Sequence, residues 1–279
     1  MPKQATIGTA RKVTGVGLHT GELTTLRFVP AEPGTGVRFR RVDLPDKPEI
    51  PARITSVVDT QRSTSLGVGK AVVRTVEHIL ASVQCLGIDN LVIEVDAAET
   101  PLTDGSSSHF AHALQDAGIV EQDAEQEFAV LERPIAVEGE GMTLCALPAQ
   151  DYRISYTMSY DHPVLPPQFR DLPITGDTFM KELATARTFA LYSELEQLLR
   201  AGLIKGGSLD NAVVITDQAI LTNNGLRFRD EFVRHKITDL IGDLSLIGRR
   251  LRAHVVSIRS GHTLNTTLAR AIATANGLL

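Results

Sequence analysis

Two stretches of this chain space their apolar residues for one face of a helix, and each also carries a histidine. Val76, Ile79, Leu80 and Val83 fall at i, i+3, i+4 and i+7 around His78. Ile237, Leu240, Ile241 and Leu244 repeat the spacing just after His235. Such a stripe has to be buried against another element. Nearby runs read as strands: Leu91–Val95 in the first half, then the alternating 153–158 and the run 253–258 in the second. With 279 residues the chain can form one large or two modest domains with real cores. The expectation is an α+β fold built from a duplicated unit: two similar domains, each a small sheet packed with helices.

The most polar connector runs from Val120 to Glu127 and leads into the strand-like Phe128-Ala129-Val130-Leu131. A boundary is expected there, giving residues 1–123 and 124–279 as the two domains. Residues 161–177 hold Pro163, Pro166, Pro167, Pro173 and Gly176, which predicts an irregular loop. Residues 191–216 read helix, turn, strand, with Ser193 as candidate N-cap, Leu195, Leu198 and Leu199 apolar, and Gly202 and Gly206-Gly207 as breaks before Val213-Val214-Ile215. A small apolar subunit of this kind suits a greasy substrate group, or is an ordinary packed helix.

Composition excludes several classes. Apolar residues make up 43% and charged residues 22%, ordinary for a globular protein, and the net charge of -5 gives no reason to expect nucleic acid. No apolar run reaches membrane-spanning length and no leader-like segment opens the chain. The expectation is a cytoplasmic monomer without a membrane-spanning segment. Cys85 and Cys145 each stand between apolar neighbours and read as buried, reduced thiols.

The chemistry concentrates in a few side chains. His235 and Asp239 are four apart on one predicted helix, so they share a face with Cβ atoms roughly 5–6 Å apart, a good bite for one small cation. Zinc takes imidazole nitrogen and carboxylate oxygen, and its catalytic sites commonly use three protein ligands. His78 is the best third ligand. Glu77, rotated by about 100° from it, can serve as base. His262, in the turn Ser260-Gly261-His262, adds a further imidazole over the cleft. Taken singly, each motif is more often a solvated helix pair. The chain lacks His-Glu-x-x-His, and the inverted pattern would need a histidine where Arg74 stands, so this is not a standard zinc peptidase. His19 lies in a glycine-rich opening that lacks the third glycine of a nucleotide fingerprint, and reads as a ligand-facing or a structural turn. His109, His112 and His254 read as ordinary surface or strand residues, and His162 as a loop residue. Arg249, Arg250 and Arg252 read as a solvated charge run, whereas Arg187 and Lys236 adjoin proposed site residues.

Several blocks resemble the UDP-3-O-acyl-N-acetylglucosamine deacetylase family: the opening 14–21, the run 86–90, Thr75-Val76-Glu77-His78, Ala186-Arg187-Thr188-Phe189, the stretch 232–243, and Ser260-Gly261-His262. They occur in order from about residue 10 to residue 268. The resemblance implies zinc-dependent removal of acetate from an acylated UDP-sugar, the committed step of lipid A synthesis. It implies that the helices of two domains face each other with the site between them, and that each domain carries an insertion. The first is expected at about 50–72 and the second, an acyl-chain passage, at about 191–216. His78, His235 and Asp239 then fall on the zinc ligands, Glu77 on the general base and His262 on the catalytic histidine. Thr188 falls on the hydroxyl that contacts the carbonyl oxygen, and Asp243 on the partner of the histidine. Phe189, Lys236 and Tyr160 take substrate-contacting positions, with Arg187 beside them. Gln61-Arg62-Ser63 is more polar than in some relatives, and the chain is shorter than some after 271–273.

Four alternatives stay open on sequence. Glu77 or His262 can protonate the departing amine. Zinc and ferrous iron both suit the ligands. The substrate can be another N-acyl sugar, and a binding protein with structural zinc is a further reading, disfavoured because closed zinc sites have four ligands rich in cysteine.

Overall fold

The structure is a computed structural model and describes residues 2–279. Two sheets repeat one topology. The first runs β2 (Arg11–Val16), β3 (Leu23–Pro30), β9 (Leu91–Val95), β4 (Val37–Arg41), β5 (Glu49–Pro51). The second runs β12 (Ile135–Gly139), β13 (Met142–Pro148), β19 (Arg250–Ile258), β14 (Arg153–Met158), β15 (Gln168–Pro173). In both, two antiparallel hairpins flank a last strand that is antiparallel to one hairpin and parallel to the other. Helices precede and follow that last strand each time: α1 (Glu77–Cys85) and α2 (Ser108–Asp116) around β9, α5 (Glu231–Ser245) and α6 (His262–Ala275) around β19. The α+β unit expected from the paired helical stripes therefore occurs twice.

The remaining elements decorate this frame. β1 (Lys3–Ile7) pairs with β10 (Ile119–Glu125), and β11 (Phe128–Val130) adds to β19. Between β5 and α1 lies a three-stranded sheet of β6 (Val57–Asp59), β7 (Ser65–Val68) and β8 (Ala71–Val73). Before α5 stand α3 (Gly176–Thr178), which continues into a π-helical turn over Phe179–Leu183, and then α4 (Tyr192–Arg200). α4 is flanked by a sheet of β16 (Phe189–Leu191), β17 (Val213–Ile215) and β18 (Ile220–Leu221). Among the described residues no helix is long and apolar enough to cross a membrane.

The two helices that carry the stripes meet each other. α1 packs directly on α5, and Ile79, Ile237, Leu240 and Ile241 are fully buried between elements. Each such side chain contributes about 1.5–3 kcal/mol relative to exposure. Gly242 sets how near the helices come, because a Cβ there would lie 2.1 Å from the Glu77 carbonyl oxygen. Only a residue without a side chain permits that approach. The consequence is positional: α5 rests on the first turn of α1, where Glu77 and His78 lie.

Several local expectations fail for identifiable reasons. The polar connector at 120–127 is mostly β10, whose charged side chains point to solvent from an edge strand. The proline-rich stretch is a loop only to Pro167; Gln168–Pro173 is β15, at the sheet edge where a terminal proline is tolerated. Ser193 is not a cap: α4 starts at Tyr192 after Leu191, without a side-chain cap bond. Cys85 and Cys145 are free but half-buried rather than fully enclosed.

Candidate active site

α5 is buried on nearly its whole circumference, yet it carries Glu231, Arg234, His235, Thr238, Asp239 and Asp243. Buried polar groups need partners, so each of these must be accounted for. Glu231 accepts from the Arg187 guanidinium at 2.8 Å and from the backbone of Arg187 and Arg227. Arg234 pairs with Asp230 and Glu182. Thr238 donates to the Arg234 carbonyl at 3.1 Å. The exception is Asp239: Oδ2 accepts from Lys236 at 3.0 Å, but Oδ1 is buried with no donor.

That orphaned oxygen faces two imidazoles. His235 Nε2 lies 3.3 Å and His78 Nε2 3.5 Å from Asp239 Oδ1, and the two rings meet edge-on with centroids 4.9 Å apart. His235 Nδ1 is 3.2 Å from the Ala186 carbonyl, which can only accept, so the proton sits on Nδ1 and Nε2 presents a lone pair. Burial lowers the His235 pKa to about 4 despite Asp239, which keeps the ring neutral. A lone pair aimed at a carboxylate oxygen is repulsive unless a cation lies between them. One ligand atom from each of His78, His235 and Asp239 lies within 4.8 Å of the others. Separations of 3.3–3.5 Å suit a tetrahedral ion with bonds of about 2.0–2.1 Å. The residues fit a divalent metal.

Glu77 lies in the first turn of α1, and burial raises its pKa against the opposing pull of His262 and His78. Its position is set from upstream. Thr75 adopts a left-handed backbone (φ +58°), which costs a β-branched residue about 1–3 kcal/mol. The strained turn is held by Thr75 Oγ1 donating to the fully buried Glu99 at 3.0 Å, and by Thr100 donating to the Thr75 carbonyl at 2.6 Å. Glu77 itself accepts from the Thr64 backbone N–H at 3.0 Å.

His262 opens α6. Its Nδ1 donates to Asp243 Oδ2 at 2.9 Å, and Asn265 donates to the same oxygen at 2.8 Å. Burial and the helix N-terminus both work against a cation there. Asp243, with Glu77 and Asp239 assisting, outweighs the burial and pushes the pKa up to about 9. The turn that delivers the ring differs from expectation: Arg259, not Gly261, takes the left-handed conformation (φ +60°), and Gly261 is extended.

Glu77, His78, His235, Asp239 and His262 line one cleft of about 340 Å³, together with Thr188, Phe189, Tyr160, Lys236 and Leu191. Phe189 stacks edge-on against Phe232 at 4.8 Å and Tyr160 at 6.1 Å. Burial disfavours the Lys236 ammonium, but Asp239 overcomes it and raises the pKa. Arg187 is not brought into the cleft. Its guanidinium turns to Glu231, Thr222 and the Gly225 carbonyl, because a fully buried carboxylate needs a cation more than a solvent-lined cleft does. His19 is 5% exposed with neither ring nitrogen partnered, and burial lowers its pKa. The backbone N–H of His19 donates to Glu99 at 2.9 Å. Sequence reasoning missed Thr64, Glu99 and Asn265; each is an ordinary polar residue whose partners lie far along the chain, and no local spacing marks them.

The model of the family described as LpxC, UDP-3-O-acyl N-acetylglycosamine deacetylase, matches residues 4–274. Curated UDP-3-O-acyl-N-acetylglucosamine deacetylases are similar over nearly the full length. That of Citrifermentans bemidjiense is 43% identical over 95% of this chain and 87% of its own. That of Saccharophagus degradans is 45% identical over 95% and 88%, and that of Legionella pneumophila (strain Paris) 44% over 97% and 90%. A match of this extent, on a chain whose helices bring two imidazoles and a carboxylate to one point, has a plain consequence: the chain belongs to the UDP-3-O-acyl N-acetylglycosamine deacetylase family.

Proposed function

We propose that this chain hydrolyses the N-acetyl group of a UDP-3-O-acyl-N-acetylglucosamine, releasing acetate, as the committed step of lipid A biosynthesis. Its metal is zinc, held by His78, His235 and Asp239. The observation that carries the reading is Asp239 Oδ1, buried without a donor and faced by two imidazole nitrogens. The nitrogen, nitrogen, oxygen donor set is that of catalytic zinc, with three protein ligands. A divalent ion there supplies Lewis-acid polarisation of the acetamide carbonyl and makes water acidic enough to attack near neutral pH.

The protein's own groups do the rest. Glu77, its proton affinity raised by burial, takes the proton of the attacking water. Negative charge then builds on the carbonyl oxygen, where the Thr188 hydroxyl and cationic His262 stabilise it. Collapse needs a proton on the sugar nitrogen. His262 carries one, since Asp243 holds Nδ1 and leaves the Nε2–H for the cleft. Phe189 and Tyr160 offer aromatic faces, and Lys236 a cation, to the nucleotide-sugar. The segment 191–216, with Leu191 in the cleft wall, takes the acyl chain.

We also assign residues 1–123 and 124–279 to separate domains, on the repeat of one topology, with 50–72 and 191–216 as their insertions. The unpaired cysteines suit the cytoplasm. The test is acetate release from UDP-3-O-acyl-N-acetylglucosamine and its non-acylated counterpart, by wild type and Glu77→Gln. The expected result is preference for the acylated sugar, with Glu77→Gln retaining metal and losing about 10²–10⁴-fold in kcat. Near-normal turnover by Glu77→Gln would rule out the base.

A further inference from the structure

We propose that Thr64 is a positioning residue that locks Glu77 and the Asp243–His262 pair into one frame. The proposal rests on the roles given to those three residues above. Thr64 is fully buried in the turn between β6 and β7, two residues after Arg62, which takes a left-handed backbone (φ +65°). Its N–H donates to Glu77 Oε2 at 3.0 Å. Its carbonyl accepts from the N–H of Val76, the residue that caps α1, at 3.2 Å. Its hydroxyl lies 2.5 Å from Asp243 Oδ1. An ionised carboxylate only accepts, so Thr64 is the donor, in a short charge-assisted bond.

The arrangement around Asp243 shows what that hydroxyl adds. Asp243 Oδ2 is shared by His262 Nδ1 and Asn265, while among the described residues Thr64 is the one donor to Oδ1. Thr64 Oγ1 is 3.4 Å from His262 Nδ1, farther than the 2.9 Å to Asp243, so the imidazole proton stays with the carboxylate. Without the hydroxyl the carboxylate is held through one oxygen and can rotate, taking His262 with it. Thr64 therefore ties the small sheet of the first insertion to the base on α1 and the carboxylate on α5. It acts through Glu77 and Asp243, and it is not among the residues that line the cleft.

The experiment compares Thr64→Val and Thr64→Ser, in the wild-type and Asp243→Ala backgrounds. It measures kcat and KM for acetate release, bound metal and the thermal midpoint. Thr64→Val keeps both backbone bonds and is expected to lower kcat by about 10- to 100-fold, with KM within about threefold and metal content unchanged. Thr64→Ser is expected to recover most of that loss. In the Asp243→Ala background, Thr64→Val should cost less than about twofold more, because the two act through one bond. Wild-type kcat in Thr64→Val, or an equal loss in both backgrounds, overturns the proposal. If Thr64→Val does not fold, the smaller Thr64→Ala is read by the same criteria. A wild-type enzyme that releases no acetate would overturn the functional reading itself, together with the role it gives Thr64.

Discussion

Replacing Gly242 by alanine opposes two effects whose signs differ. In the interior of a helix, Ala is favoured over Gly by about 1 kcal/mol. Here the added Cβ would stand 2.1 Å from the Glu77 carbonyl oxygen and 2.8 Å from the Glu77 Cα, on backbone that cannot rotate away. The helices must part by about 1 Å, and overpacking of this kind costs about 1–3 kcal/mol. Because both neighbours are backbone, the upper end applies, and the net loss is about 2 kcal/mol. At about 2–4 °C per kcal/mol for a chain of this size, the thermal midpoint drops by roughly 4–8 °C. Turnover suffers more, since the residue displaced is the base, and a shift of about 1 Å can cost about 100-fold. Urea unfolding and acetate release of Gly242→Ala measure both. A variant more stable than wild type with normal turnover would refute the close packing of α5 on the start of α1.

Two further outcomes follow from the electrostatics. The proposed active form of His262 is the cation, so activity is lost as pH rises through its raised pKa, about 9, or lower once a dication sits nearby. Asp243→Asn removes the largest support for that charge and moves the basic limb of kcat to lower pH; an unmoved limb would contradict the pairing. Arg187→Met breaks a buried ion pair with Glu231 and is expected to cost about 3–5 kcal/mol of stability, while KM of the folded protein stays within a few-fold. A large rise in KM without loss of stability would return Arg187 to the substrate site.

Features encoded within one or two turns were legible in the sequence. The i to i+4 pairing of His235 with Asp239, the adjacency of Glu77 to His78, and both apolar stripes are such features; the structure brings His78, His235 and Asp239 together and packs the two helices on each other. What escaped depends on distant partners. Arg187 looked like a ligand group because of its neighbours, but its fate is decided by Glu231, 44 residues away. Thr64 meets Asp243 across 179 residues, and only the packing of the first insertion makes that contact. The strand at Gln168–Pro173 was masked by the prolines around it, which an edge strand tolerates and a central one does not. The glycine of Ser260-Gly261-His262 suggests a turn at Gly261, whereas Arg259 takes the left-handed conformation before His262.

Metal stoichiometry tests the account most directly. After exhaustive chelation and add-back of zinc, the wild-type chain is expected to bind about one ion tightly and to recover acetate release in proportion. His78→Ala, His235→Ala and Asp239→Ala should each stay folded, bind far less metal and remain inactive. Were any of the three to hold a full equivalent with normal affinity and turn over substrate, the ion would not be gripped by these side chains.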